Sequence, residues 1–248
     1  MDILGDLLEP YSTEIAKIAG TVTCLQFLSG VFLLNDIRKI GSSDAYPPEP
    51  FLGGIVLTLL SLKLGAIMED AAMINVNVIG FGINVVFLLI FYWYSSNEFK
   101  EKIWKKMGIS SIFVLITLVY SIFEDPQKIE FRFGMLITGI LVMLVGLPLL
   151  SLGDIIKKKS TEGLPFPIIL SGTLVAASWF LYGISIRNTV VIYQNMFLLS
   201  LSSIQLALFA IYPSTPTSKS AKLHSPSTLN SKRSKTNPSE SSVYKKND

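Results

Sequence analysis

The chain offers little that reactive chemistry can use. Its 248 residues include one cysteine, Cys24, and one histidine, His224. One cysteine makes no intrachain disulfide, and no His/Cys set with metal-ligand spacing exists, so neither a metal nor a cofactor is expected. No nucleophile sits beside a base and no phosphate-cradling glycine loop is present, so the chain is not expected to be an enzyme. Charge is scarce as well. Asp, Glu, Lys and Arg make up 16% of the residues, against about 25% in a soluble domain. The acidic start "MDILGDLLEP" lacks the positive n-region of a signal peptide, so no cleaved leader is expected. Cys24 lies inside an apolar run and reads as a small packing residue.

What fills the space is hydrophobic: half of all residues. The charges gather in short patches. Between them run apolar stretches of about 17–25 residues, the length that crosses a bilayer at ~1.5 Å rise per residue. The pattern predicts an all-α integral membrane protein with seven spans, at 14–34, 51–68, 73–94, 108–123, 131–152, 165–186 and 189–212. Residues 1–13 are then an extracellular N-terminus. With the N-terminus outside, sixteen of the 21 Lys and Arg residues fall on the cytoplasmic side, as the positive-inside rule requires. Residues 213–248 are rich in Ser, Thr, Pro, Asn and Lys. Such a segment cannot bury enough apolar surface to fold and reads as a disordered basic cytoplasmic tail. The basic residues lie beside membrane spans, which argues against nucleic acid as a partner.

The chain also matches itself at an offset of 118 residues, the separation of Asp36 and Asp154. At this offset Lys39 meets Lys157, Gly54 meets Gly172, Gly65 meets Gly183 and Asn77 meets Asn195. No gap is needed. Shared Leu and Ile arise by chance in apolar chains; shared Asp, Gly and Asn at one offset do not. Residues 14–94 and 131–212 are therefore two copies of a three-helix unit. The offset holds four spans, so both copies point the same way, and the loop and fourth helix within 95–130 link them. The fold class is two parallel three-helix bundles joined by a linker helix (3+1+3). Parallel repeats of this kind mark a class of transporter with its substrate site near the midplane, between the repeats.

The segments "LPLLSLGDIIKKKSTEGLPF", "SWFLYG", "YQNMF", "PFLGG" and "VNVIGFG" resemble the SWEET sugar facilitators, the MtN3/saliva family, and more its animal branch than its plant branch. The resemblance spans about residues 14–212. It implies a small neutral sugar as substrate, assembly into homo-oligomers, and a set of helix-bending prolines. Pro148 and Pro165 match that set in the second repeat. Pro50 matches in the first, with Pro47 as the alternative, and Gly30 stands at the fourth position. Pro148 lies deep in a span, where a missing backbone donor permits a bend; Pro165 lies at a span start, where proline is also merely tolerated.

For the sugar site the resemblance implies Asn77 and Asn195, one amide per repeat, with Trp179 stacking on the sugar ring. An Asn inside a membrane helix is costly without a partner, and a sugar's hydroxyls can supply one; interhelical glue is the other role it serves. Trp179 can equally be an interfacial belt residue. Ser61 stands where a second tryptophan is expected and Leu198 where a glycine is. Thr23, Leu57, Leu144 and Val175 fall at the family's pocket-lining positions. No span core holds a convincing carboxylate or a histidine, and Lys63 can snorkel to the interface, which favours a passive, bidirectional uniporter of a mono- or disaccharide over an ion-coupled carrier. The alternatives are a repeat protein that has lost transport and acts in trafficking or assembly, and a seven-helix receptor. The expected site of residence is the plasma membrane, with the Golgi membrane as the alternative.

Overall fold

The computed structural model describes residues 2–146, 161 and 166–212. Among them the chain forms α-helices and one short 3-10 turn, Glu9–Tyr11, and no strand. The helices are α1 (Asp2–Leu8), α2 (Ser12–Phe27), α3 (Gly30–Ile40), α4 (Glu49–Ile67), α5 (Ala71–Trp93), α6 (Asn97–Phe123), α7 (Ile129–Gly146), α8 (Phe166–Ser185) and α9 (Thr189–Ile211). Pro148, Pro165, Lys157 to Lys159 and the tail from Pro213 lie outside the described residues.

Most helices agree with the hydropathy reading to within two residues at the ends that are described, and three departures have clear causes. The first span is two helices, because the chain breaks at Leu28–Ser29. There Ser29 N–H bonds to Gln26 O at 3.0 Å and Val31 N–H to Leu28 O at 3.0 Å, both one residue shorter than an α-helical turn. The first thirteen residues are largely helical and run straight into α2. Finally, α6 begins at Asn97 rather than near 108. Ser96 caps it by accepting from Phe99 N–H at 3.3 Å, and Glu98–Lys102 pair at 3.2 Å one turn on. These charged turns are good helix, but a hydropathy window cannot see them.

The repeat is present down to its turns. Between α4 and α5, Asp70 N–H bonds to Gly65 O at 2.9 Å; between α8 and α9, Asn188 N–H bonds to Gly183 O at 2.9 Å. The residue before each has positive φ, 54° at Glu69 and 55° at Arg187. Asp70 caps α5 through Met73 N–H at 3.0 Å, and Asn188 caps α9 through Val191 N–H at 3.1 Å. Gly65 and Gly183 permit the close approach: a Cβ on either would lie 3.0–3.2 Å from the partner helix. At the other end of the bundle, Ser43 N–H bonds to Tyr94 O, and Thr161 Oγ1 bonds to Tyr212 O at 2.9 Å. Each of these pairs is related by the same 118 residues.

Packing follows the repeat. Within each unit the second and third spans form the broadest contact, α4 on α5 and α8 on α9. Between units, α2 packs on α8 and α4 on α7, the two contacts that a pseudo-two-fold axis would relate. The shared core of buried residues includes Leu64, Met73, Phe133, Trp179, Tyr182 and Val190. It gathers toward the face that carries the α4–α5 and α8–α9 turns. A second core, with Ile37, Phe51, Phe91 and Ile103, lies at the opposite end of the first repeat and against α6. Large apolar side chains such as Trp93, Phe32 and Phe123 are more than three-quarters exposed, which only a lipid surround makes favourable. Six helical segments among the described residues are long and apolar enough to cross a membrane. The chain is an integral membrane protein.

Candidate functional site

A cavity of about 150 Å³ sits between the repeats. The first repeat contributes Thr23 from α2, Ser61 from α4, and Met73, Val76 and Asn77 from α5. The second contributes Leu141 from α7, Val175 and Trp179 from α8, and Gln194, Asn195 and Leu198 from α9. Six of the eight substrate positions expected from sequence thus line one space: Thr23, Ser61, Asn77, Val175, Trp179 and Asn195. Leu57 is half-buried on α4 and is not among the lining residues. Leu144 belongs to α7, and its side chain lies outside the described residues. Of the hinge positions, Pro50 lies in the first turn of α4, where no backbone donor is needed. Gly30 opens α3, just after the break in the first span. A Cβ on Gly30 would lie 2.7 Å from the Phe87 ring, so only glycine lets α3 approach α5 there.

The two asparagines adopt one conformation. Asn77 Nδ2–H bonds to Met73 O at 2.8 Å, and Asn195 Nδ2–H bonds to Val191 O at 2.9 Å. Each amide is tied to its own helix one turn back. Its Oδ1 has no partner among the described residues, so each repeat presents a carbonyl acceptor and a second N–H to the cavity. Trp179 is held in place by two contacts, one of them to a partner that is itself anchored. Its Nε1–H donates to Thr23 Oγ1 at 2.9 Å; the Thr23 hydroxyl donates to Ala19 O at 2.7 Å; and its ring meets Tyr182 edge-on at 5.4 Å and 83°. A ring so fixed makes a flat wall, and the bond to Thr23 joins the two repeats.

A second bond joins them nearer the turn face. Tyr182 Oη donates to Asp70 Oδ2 at 3.0 Å. Both residues are buried. On the same face the Arg187 guanidinium bonds to Asp6 and to Glu9, the latter at 3.1 Å, tying the N-terminal segment to the α8–α9 turn. Asn188 Nδ2–H bonds to Glu130 Oε1 at 2.7 Å. Between α6 and α7, Glu124 accepts from Tyr120 Oη at 2.5 Å and from Arg132 at 2.8 and 2.9 Å. These bonds, the phenol first, hold the Glu124 carboxyl down at about 2. Among the described residues no cluster of metal-ligating side chains occurs.

Sequence reasoning missed Asp70 and Gln194. Asp70 reads as a loop residue until its counterpart, Asn188, is noticed at the shared offset. Gln194 has Val76 as its counterpart, so a search for symmetric polar pairs passes over it. A larger groove, about 310 Å³, lies among α4, α5 and α6. Its walls are apolar apart from Ser110 and Ser111, which does not suit a polar solute.

Residues 14–99 and 131–217 match the family model described as "Sugar efflux transporter for intercellular exchange". Over 204 residues the chain is 29% identical to "Sugar transporter SWEET1" of Drosophila pseudoobscura pseudoobscura, covering 80% of this chain and 88% of that one. To the "Bidirectional sugar transporter SWEET2b" of rice it is 27% identical, over 86% of this chain and 93% of the other. The solved structure of a eukaryotic SWEET transporter superposes with a TM-score of 0.73 at 26% identity, over 84% of this chain and 100% of that chain.

Proposed function

The chain belongs to the SWEET (MtN3/saliva) family of sugar transporters, and we propose that it carries a neutral sugar across the membrane passively, in either direction, by alternating access between its two repeats. One observation carries this reading: a cavity between the repeats into which each repeat sends one asparagine in the same posture. Two acceptors and two N–H groups facing a pinned aromatic ring suit a polyhydroxylated ring. Among the described residues no charged side chain lines the space, which supports a solute that crosses with no ion bound beside it.

The shared core, the Tyr182–Asp70 bond and the Arg187 pairs all lie toward one face. With the N-terminus outside, this is the extracellular face, and the described conformation is closed there. Opening it requires Tyr182 to leave Asp70 and Trp179 to leave Thr23. Gly30 acts as a hinge for this motion, with Pro50, Pro148 and Pro165 as further bending points. Residence in the plasma membrane, a homo-oligomeric assembly and a cytoplasmic tail from Pro213 complete the reading.

The test is uptake of radiolabelled glucose and sucrose in cells lacking their own hexose carriers, with surface expression verified and the proton gradient present or collapsed. Saturable uptake that ignores the gradient supports the uniporter and identifies the sugar. Gradient-dependent uptake overturns passive transport, and surface protein that moves neither sugar overturns the transport reading.

A further inference from the structure

Two equal repeats leave a sugar with two equivalent ways to lie. A pseudo-two-fold axis maps the Asn77 amide onto Asn195, so the pair alone cannot tell one end of a ring from the other. The rest of the lining breaks this degeneracy, mostly on the side of the second repeat. Trp179 is the counterpart of Ser61, and Gln194 the counterpart of Val76.

The hydrogen bonds of Gln194 are unlike those of the asparagines. Its Oε1 lies 3.4 Å from Thr138 Oγ1, beyond a good O–H···O distance, while the Thr138 hydroxyl donates at 2.8 Å to Gly134 O. Gln194 Nε2 has no partner among the described residues, yet no buried side-chain nitrogen or oxygen among them is left unpaired. The amide nitrogen is therefore accessible, on a side chain that lines the cavity. Asn77 and Asn195 each spend one N–H on their own backbone and keep their carbonyls free; Gln194 keeps both N–H groups. The site holds acceptors from both repeats and an uncommitted amide donor from one.

We propose that Gln194 is a specificity-determining residue: its amide donates to one sugar oxygen and fixes which way round the ring lies, with Trp179 beneath it. This rests on the transport reading above. A role as interhelical glue with Thr138 would be served by a shorter bond and would not discriminate among positions on the sugar.

The experiment uses the full-length protein in the uptake assay. Inhibition of labelled glucose uptake by glucose and by 2-, 3-, 4- and 6-deoxyglucose is compared between the wild type and Gln194→Met, which keeps length and volume but has no amide. Loss of one neutral hydrogen bond predicts about 3- to 10-fold weaker glucose recognition. One deoxy analogue, lacking the oxygen that Gln194 reads, should bind both proteins equally. An equal loss for all five sugars, or no loss for any, overturns the proposal while leaving transport intact. A wild type that moves no sugar overturns both readings together. Should Gln194→Met fail to reach the surface, Gln194→Asn draws the amide back by one methylene and must give the same analogue pattern.

Discussion

The two repeats agree in their turns and disagree in their cavity walls. Their α4–α5 and α8–α9 connections share hydrogen-bond lengths, positive-φ residues and capping geometry. Among counterparts that both line the cavity, only the asparagine pair is shared in kind. Thr23 has Leu141 as its counterpart, Ser61 has Trp179, Val76 has Gln194, and Gly80 has Leu198. Gly80 shows what that last change does: a Cβ there would lie 2.4 Å from the Phe27 ring, so Gly80 is filled over by a neighbour while Leu198 turns a side chain to the cavity. The cross-repeat bond near the turn face is one-sided too. Tyr182 reaches Asp70, but its counterpart Leu64 has nothing to give Asn188, which bonds to Glu130 instead. Duplication supplies the frame; divergence at single positions supplies the chemistry.

This comparison can be broken most severely at the asparagines. Asn77→Ala and Asn195→Ala should each abolish sugar flux while the protein still reaches its membrane; two mutants that transport normally would make the amides helix glue and dissolve the site. The next largest effect is expected at the one-sided bond. Tyr182→Phe removes on the order of 1–3 kcal/mol from the closed face, about 5- to 150-fold in population. Cysteines introduced along α8 should then react faster with an impermeant reagent from the α8–α9 turn side. Labelling unchanged from the wild type would mean the bond does not latch the repeats. Smaller in effect is Ser61→Trp, which supplies the missing wall. It should cut uptake of a disaccharide at least about 10-fold more than that of a hexose, since the cavity holds only about 150 Å³.

The smallest effect concerns the link between the repeats. Arg132 has Glu14 as its counterpart, so the Tyr120–Glu124–Arg132 cluster exists on one side only. A folded-state value of about 2 for Glu124 lies below the usual 4.5. A depressed carboxyl contributes stability that is complete above its unfolded value and is lost as pH falls from there through about 2. The infrared carboxylate band that Glu124→Gln removes should therefore persist below pH 4.5 and fade only as pH approaches about 2. Half-loss near the usual 4.5 would contradict the clasp.

Most of the frame was legible in the sequence: span length follows from the thickness of the lipid, and the 118-residue offset exposes the duplication. The helices that carry charge were not, since α1 and the first turns of α6 hold by capping and ion pairs rather than by apolar length. In the site, residues repeated in both halves announced themselves, as Asn77 and Asn195 did. Gln194 did not, because a pattern found by self-comparison is blind to what only one half possesses. Asp70 was hidden differently. A carboxyl in a turn looks solvated until the tyrosine that buries it arrives from a helix 112 residues away.

The break at Leu28–Ser29 divides the allegiance of the first span. On one side of it, α2 packs broadly on α8 of the second repeat and also on α5 of its own; on the other, α3 packs on α5. One membrane crossing is thus sewn to both repeats, as a strap is to both halves of a case. In the proposed alternating access, α2 would have to slide on one of its two partners while α3 stays with its own, and the few peptide units between Phe27 and Val31 would take up the difference. The stiffness of that one turn would then bear on how far the proposed motion can go.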